Sequence, residues 1–316
     1  MNQIDSSIRA SAPGTLMLLG EHAVLHGSRA LVLAVDKRIR VELTPLDEPQ
    51  LEIESALGQY RAPIDQRHAD ATFSFILAAF EHCYTAFAVE AGISPGTGVR
   101  LQVESDFSHL VGLGSSAAVT VATLAVLNRW LGQSPNSDQL FEQARAVMLR
   151  VQGRGSGADL AAAIEGGMVA YHQSGERQKL APLPSIGLYY CGYKLKTPLV
   201  LERVAEAAEQ LPLLYQHLYQ LMAECAEQAC EAAGQGDWTL LGRLMNYYQG
   251  LMDALGVNDA KLSQMIYQLR GDSLVQGAKI SGSGLGDCVI SLGQPQAVEL
   301  PDRIPVQVAS LGLRLD

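Results

Sequence analysis

Val111-Gly112-Leu113-Gly114-Ser115-Ser116-Ala117-Ala118 is the stretch on which the reading of this 316-residue chain turns. Ahead of it, Val99-Arg100-Leu101-Gln102-Val103 alternates apolar and polar residues as a strand does. Behind it, residues 119–131 are rich in Ala, Val and Leu and predict a buried helix. Strand, glycine-rich bend, two hydroxyls and a helix N-terminus together make a phosphate cradle. The glycines let backbone N–H groups converge, and the helix end adds partial positive charge. Ser115 and Ser116 can donate to a phosphate or ligate its metal ion. The same residues also fit a plain strand-to-helix turn with N-cap serines.

Outward from that stretch, composition sets bounds. The chain is 48% hydrophobic and 18% charged, as an α/β or α+β globular protein is. A net charge of −10 argues against a general nucleic-acid binder, which needs a basic face. The five cysteines, Cys83, Cys191, Cys225, Cys230 and Cys288, form no CxxC pair, so neither a disulfide framework nor a zinc site is expected. Residues 1–9 lack the apolar run of a signal peptide, and no stretch has the length of a membrane span. These features predict a cytoplasmic protein.

Strands are predicted at 16–19, 23–25, 30–35, 38–43 and 51–54, after a breaker at Pro13-Gly14, which suggests a mixed or antiparallel sheet. Helices follow at 73–88 and 137–151, the latter with Ser137 or Asp138 as N-cap. A second glycine-rich bend, Gly153-Arg154-Gly155-Ser156-Gly157-Ala158-Asp159, leads into a short helix at 160–164 and a strand at 168–171. Gly175, Pro182 and Pro184 place a domain boundary near 180, dividing the chain into 1–180 and 181–316. The second part reads as a strand at 187–193, helices at 199–210, 214–233, 239–255 and 259–270, and strands at 278–281 and 288–292. A third bend, Gly282-Ser283-Gly284-Leu285-Gly286, separates those last two strands, and residues 306–311 are expected to close the sheet.

Three glycine-rich bends let backbone approach a phosphorylated ligand and a second small substrate from several sides. Asp159 adds a carboxylate that can orient a hydroxyl nucleophile or take its proton; its position before 160–164 also fits an N-cap.

The residues 12–27, Ala-Pro-Gly-Thr-Leu-Met-Leu-Leu-Gly-Glu-His-Ala-Val-Leu-His-Gly, resemble the first motif of the GHMP small-molecule kinases. Their Glu-His-Ala-Val-x-His-Gly part is most similar to the mevalonate-kinase branch. The loop at 112–118 is similar to that family's ATP loop, 155–159 to its catalytic-aspartate segment, and 279–288 to its third motif. The resemblance implies a two-lobed α+β fold, with an N-terminal lobe like domain 2 of ribosomal protein S5 and a ferredoxin-like C-terminal lobe. It implies ATP held by Val111, Gly112, Leu113, Gly114, Ser115, Ser116 and Ala117, Mg²⁺ met by Ser116, and Asp159 as the catalytic residue. Glu21, His22, Gly282, Ser283 and Gly284 would lie toward the acceptor, mevalonate, phosphorylated at its 5-hydroxyl. Helices between 214 and 255 offer a surface for a homodimer.

Four departures from the family pattern stand out. Thr15 replaces the lysine that usually follows Pro-Gly, removing a positive charge, with Arg154 the first candidate to supply it. Met148 stands where many mevalonate kinases have a metal-binding glutamate. Ser108-His109-Leu110-Val111 replaces the usual approach to the ATP loop. Gly286-Asp287-Cys288 reads more like phosphomevalonate kinases, whose extra phosphate would call on cations such as Lys37, Arg38, Arg40, Lys194 or Lys196. Thr15 and Met148 also keep a non-catalytic nucleotide-binding protein in view.

Overall fold

The run Ala30-Leu31-Val32-Leu33-Ala34-Val35 has no polar alternation because both faces of its strand are covered. Ala30 and Val32 pack into one core, and Leu31, Leu33 and Val35 into the other. The computed structural model describes residues 7–92, 97–298, 300 and 302–316. This run belongs to β2 (Arg29–Leu46), which pairs antiparallel with β1 (Ile8–Leu19). The Pro13-Gly14 breaker does not end β1. It coincides with a bulge, the register stepping from Pro13–Arg38 to Thr15–Ala34. The two strands expected at 30–35 and 38–43 are therefore one.

Between β1 and β2, Gly20 and His22 take left-handed φ of +105° and +60°. The strand expected at 23–25 is instead a single 3₁₀ turn, Ala23–His26. The first sheet runs β11-β1-β2-β5-β3-β4. Here β3 is Gln50–Ser55, β4 Gly58–Pro63, β5 Gly98–Ser105 and β11 Arg314–Leu315. Strands β6 (Met168–His172) and β7 (Arg177–Leu180) extend it beside the first half of β2. Only β3 with β5 is parallel among these pairs.

One face carries α1 (Ser74–Phe87), α2 (Ser115–Trp130), α3 (Ser137–Gln152) and α4 (Ala158–Glu165). Helix α2 starts at Ser115, four residues before its apolar run, because the bend itself opens the helix. The α3 cap is Asn136, not Ser137 or Asp138: its side chain accepts from Gln139 N–H while Gln139 reaches back.

The other face meets a second, antiparallel sheet, β8-β10-β9, made of β8 (Ile186–Lys194), β9 (Gly277–Ser281) and β10 (Gly286–Leu292). Around it lie α5 (Thr197–Gln210), α6 (Pro212–Gln235), α7 (Trp238–Ala254) and α8 (Ala260–Arg270). Residues 306–311 do not form the expected closing strand. They return to β2 through one bridge, Val35–Val308, with Asp36 exchanging bonds with Gln307. The architecture is the expected α+β one. No helix among the described residues is long and apolar enough to cross a membrane.

Candidate active site

The β1 bulge sets the site. It brings Thr15 against the loop before α2, where Thr15 N–H donates to Leu113 O at 3.0 Å. Gly112 and Gly114 hold φ of +62° and +60°. A Cβ on Gly114 would fall 1.9 Å from Thr15 Oγ1, and one on Gly112 would fall 2.1 Å from Asp287 Oδ1. Both glycines are therefore required by neighbours already in place. No side chain caps α2, so its first N–H groups open onto a cleft of about 1480 Å³ between the two sheets.

Of the residues expected to hold a nucleotide, Gly112, Gly114, Ser115, Ser116 and Ala117 line that cleft. Val111 and Leu113 do not: both side chains pack into the second core, Leu113 almost fully buried. Their contribution is backbone position. Cys288 Sγ lies 3.2 Å from Val111 O, tying β10 to the loop.

Helix α4 begins two residues earlier than a capping role for Asp159 requires. Gly157, at φ +87°, is the N-cap, and Asp159 lies inside the first turn. Its Oδ1 accepts from Thr15 Oγ1 at 2.8 Å. Burial pushes the Asp159 pKa up, opposed by the Thr15 hydrogen bond and the Lys194 ammonium. Arg154 is not that cation. It lies at the cleft rim and donates to Pro198 O at 2.6 Å. Lys194, at the end of β8, ion-pairs with Asp287 Oδ2 at 3.0 Å. Burial raises the Asp287 pKa, Lys194 opposes this, and the charge of Asp159 adds to it.

The acceptor residues divide. The Glu21 carboxylate, in the cleft wall, forms a buried ion pair with Lys279 and accepts weakly from Gly282 N–H at 3.4 Å. Burial raises the Glu21 pKa and lowers that of Lys279, while their mutual attraction opposes both. Tyr248 OH donates to Glu21 O at 2.6 Å. His22 is buried, which lowers its pKa, and its neutral ring donates from Nε2 to Ser283 O at 2.9 Å. Gly282 and Ser283 line the cleft. Gly284 does not, being pressed against Val257, whose O would lie 2.3 Å from an added Cβ.

Met148 lines the cleft with its thioether near Thr120. Of the five cations considered for an extra phosphate, Arg38 is buried and donates to Ser11 O and Gly312 O, Arg40 pairs with Asp106, and Lys37 is outside the lining. Lys194 and Lys196 remain, joined by Arg145 and Arg154. Sequence reasoning missed how Asp287 and Lys194 belong together. They are far apart in the chain, and only the β8–β10 pairing joins them.

A glycine loop at an open helix start, facing a buried aspartate across a cleft, defines a small-molecule phosphotransferase. Family models describing the N-terminal and C-terminal domains of GHMP kinases match residues 74–167 and 221–304. The chain belongs to the GHMP kinase family, ATP-dependent kinases. It is 32% identical to the mevalonate kinase of Aeropyrum pernix over 92% of this chain and 90% of that one. Among solved structures, L. major mevalonate kinase in complex with R-mevalonate has a TM-score of 0.74 at 23% identity, covering 93% and 90% of the two chains. Streptococcus pneumoniae phosphomevalonate kinase, with phosphomevalonate and AMPPNP, has a TM-score of 0.75 at 19% identity, covering 91% and 92%. The fold alone thus does not separate the two acceptors.

Proposed function

We propose that this kinase transfers the γ-phosphoryl of ATP to the 5-hydroxyl of mevalonate, giving 5-phosphomevalonate. The observation that carries the reading is the Thr15–Asp159 hydrogen bond beside the open N-terminus of α2. The N–H groups of 112–117 receive the nucleotide phosphates. Asp159 orients the acceptor hydroxyl and takes its proton as the oxygen attacks phosphorus, while Thr15 holds the second function of aligning that carboxylate. His22, neutral and anchored on Ser283 O, shapes the acceptor end.

The oxygen donors at this end suit Mg²⁺, and the Met148 thioether does not. Ser116 would hold the ion with phosphate oxygens. Phosphate charge would be neutralised by an ion held there. Similarity to curated mevalonate kinases across nearly the whole chain supports mevalonate as the acceptor. The turning away of Arg38, Arg40 and Lys37 also favours it over a phosphorylated acceptor.

A second reading, phosphomevalonate kinase, is favoured by Gly286-Asp287-Cys288 and by the basic groups that remain in the cleft. ADP release measured with mevalonate, with phosphomevalonate and with neither separates them. Turnover on mevalonate alone is expected; turnover on phosphomevalonate alone overturns the reading. No ADP release with either acceptor would point to a non-catalytic nucleotide-binding role.

A further inference from the structure

Asp287 poses a problem for a phosphate-binding cleft. Its carboxylate lies directly over Gly112, in the loop that must receive an anion. Its residue is only 6% exposed, Oδ1 has no hydrogen-bond partner, and its backbone sits at φ +71°, strained for a side-chain-bearing residue. The β8–β10 register shifts between Gly286 and Cys288, and this irregularity turns Asp287 inward. The strain has one visible product, the ion pair with Lys194 at 3.0 Å.

We propose that Lys194 is the cationic group that meets the phosphoryl during transfer, and that Asp287 is the positioning residue that holds it there. This rests on the proposed phosphoryl-transfer role of the cleft. Lys194 lies between its two halves: its partner Asp287 covers the nucleotide loop, and its charge reaches Asp159 at the acceptor end. Of the other cations near the cleft, Arg154 is engaged on Pro198 O, Arg145 near Glu142 and buried Lys279 on Glu21, while exposed Lys196, the residue before α5, forms no ion pair with Asp287. The group in contact with Lys194 is Asp287 from β10; Asp159 from α4, held by Thr15 from β1, lines the same cleft.

A phosphoryl in flight spreads negative charge over its peripheral oxygens, and a preplaced ammonium stabilises that charge. The new bond joins the acceptor oxygen to the γ-phosphorus, the bond from that phosphorus to the β–γ bridging oxygen breaks, and the hydroxyl proton goes to Asp159. Lys194 keeps its proton throughout. Its charge occupies the surroundings of Asp159 that Thr15 leaves without one.

Lys194→Met tests the assignment, since the side chain is 29% exposed at a strand end and its loss should leave the fold intact. We expect kcat to fall about 10²–10³-fold, with KM for ATP within about threefold, and Lys194→Arg to keep more activity than Lys194→Met. Asp287→Asn should lower kcat, and the double variant should be no slower than Lys194→Met alone, because Asp287 acts through Lys194. A Lys194→Met enzyme keeping most of its kcat, or multiplicative losses in the double variant, overturns the proposal. Carboxyl ¹³C NMR titration of Asp159 needs no acceptor: its pKa should rise in Lys194→Met, and an unchanged value also overturns the proposal. Wild-type enzyme inactive on mevalonate would overturn the acceptor reading, while the titration still decides the Lys194 assignment.

Discussion

Thr15 and Asp159 are 144 positions apart and joined by one hydrogen bond, which makes their chemistry separable by substitution. Asp159→Asn keeps an acceptor for Thr15 but removes the base, and kcat should fall roughly 10²–10⁴-fold. Its effect on stability has the opposite sign. The folded-state pKa of Asp159 is raised, so its contribution to stability is largest at low pH and is lost as pH rises through the raised value. At neutral pH the Asn variant should therefore melt at the same temperature or higher, as differential scanning calorimetry can read. Thr15→Val keeps the shape and removes the hydroxyl that lowers the Asp159 pKa. Because the carboxylate form is the active one, the acid limb of the kcat–pH profile should move to higher pH; a shift to lower pH would contradict this account. Asp159 was visible in the sequence as a carboxylate after a glycine bend. Its Thr15 partner was not, since the link passes through a bulge that local pattern does not encode.

At the scale of the element, the two ends of α2 give a contrast. Gly114 and Gly132 both hold left-handed φ, +60° and +70°, but a Cβ at Gly132 would meet nothing within 4 Å. Gly132→Ala should cost about 1 kcal/mol in urea denaturation and leave affinity for a nonhydrolysable ATP analogue unchanged. Gly114→Ala adds overlap with Thr15 and should cost more than about 2 kcal/mol while also weakening that affinity. Helix positions were legible from apolar periodicity, as α1, α5 and α8 illustrate. Their ends were less so: α2 begins at the bend, and α3 takes its cap from Asn136, because side-chain hydrogen bonds choose among several adjacent polar residues.

Across the whole molecule, the first sheet is buried on both faces along the second half of β1 and the first half of β2, and the cleft opens where the β1–β2 turn meets the second sheet. The buried Glu21–Lys279 pair joins these parts. Lys279→Met should destabilise the protein by about 3–5 kcal/mol by leaving a buried carboxylate unpaired, and adding Glu21→Gln should recover most of that loss. A Lys279→Met variant melting at the wild-type temperature would show the pair to be dispensable. By itself, the sequence determined the α+β class, the three glycine bends and membership of a kinase family, since these depend on local spacing and backbone freedom. Only tertiary structure decided that Glu21 pairs with Lys279, that Arg154 bonds to Pro198 O, and that Lys194 and Asp287 meet over the loop. Those outcomes depend on strand register and burial between segments distant in the chain, where charge pairing is settled by which groups are excluded from water together.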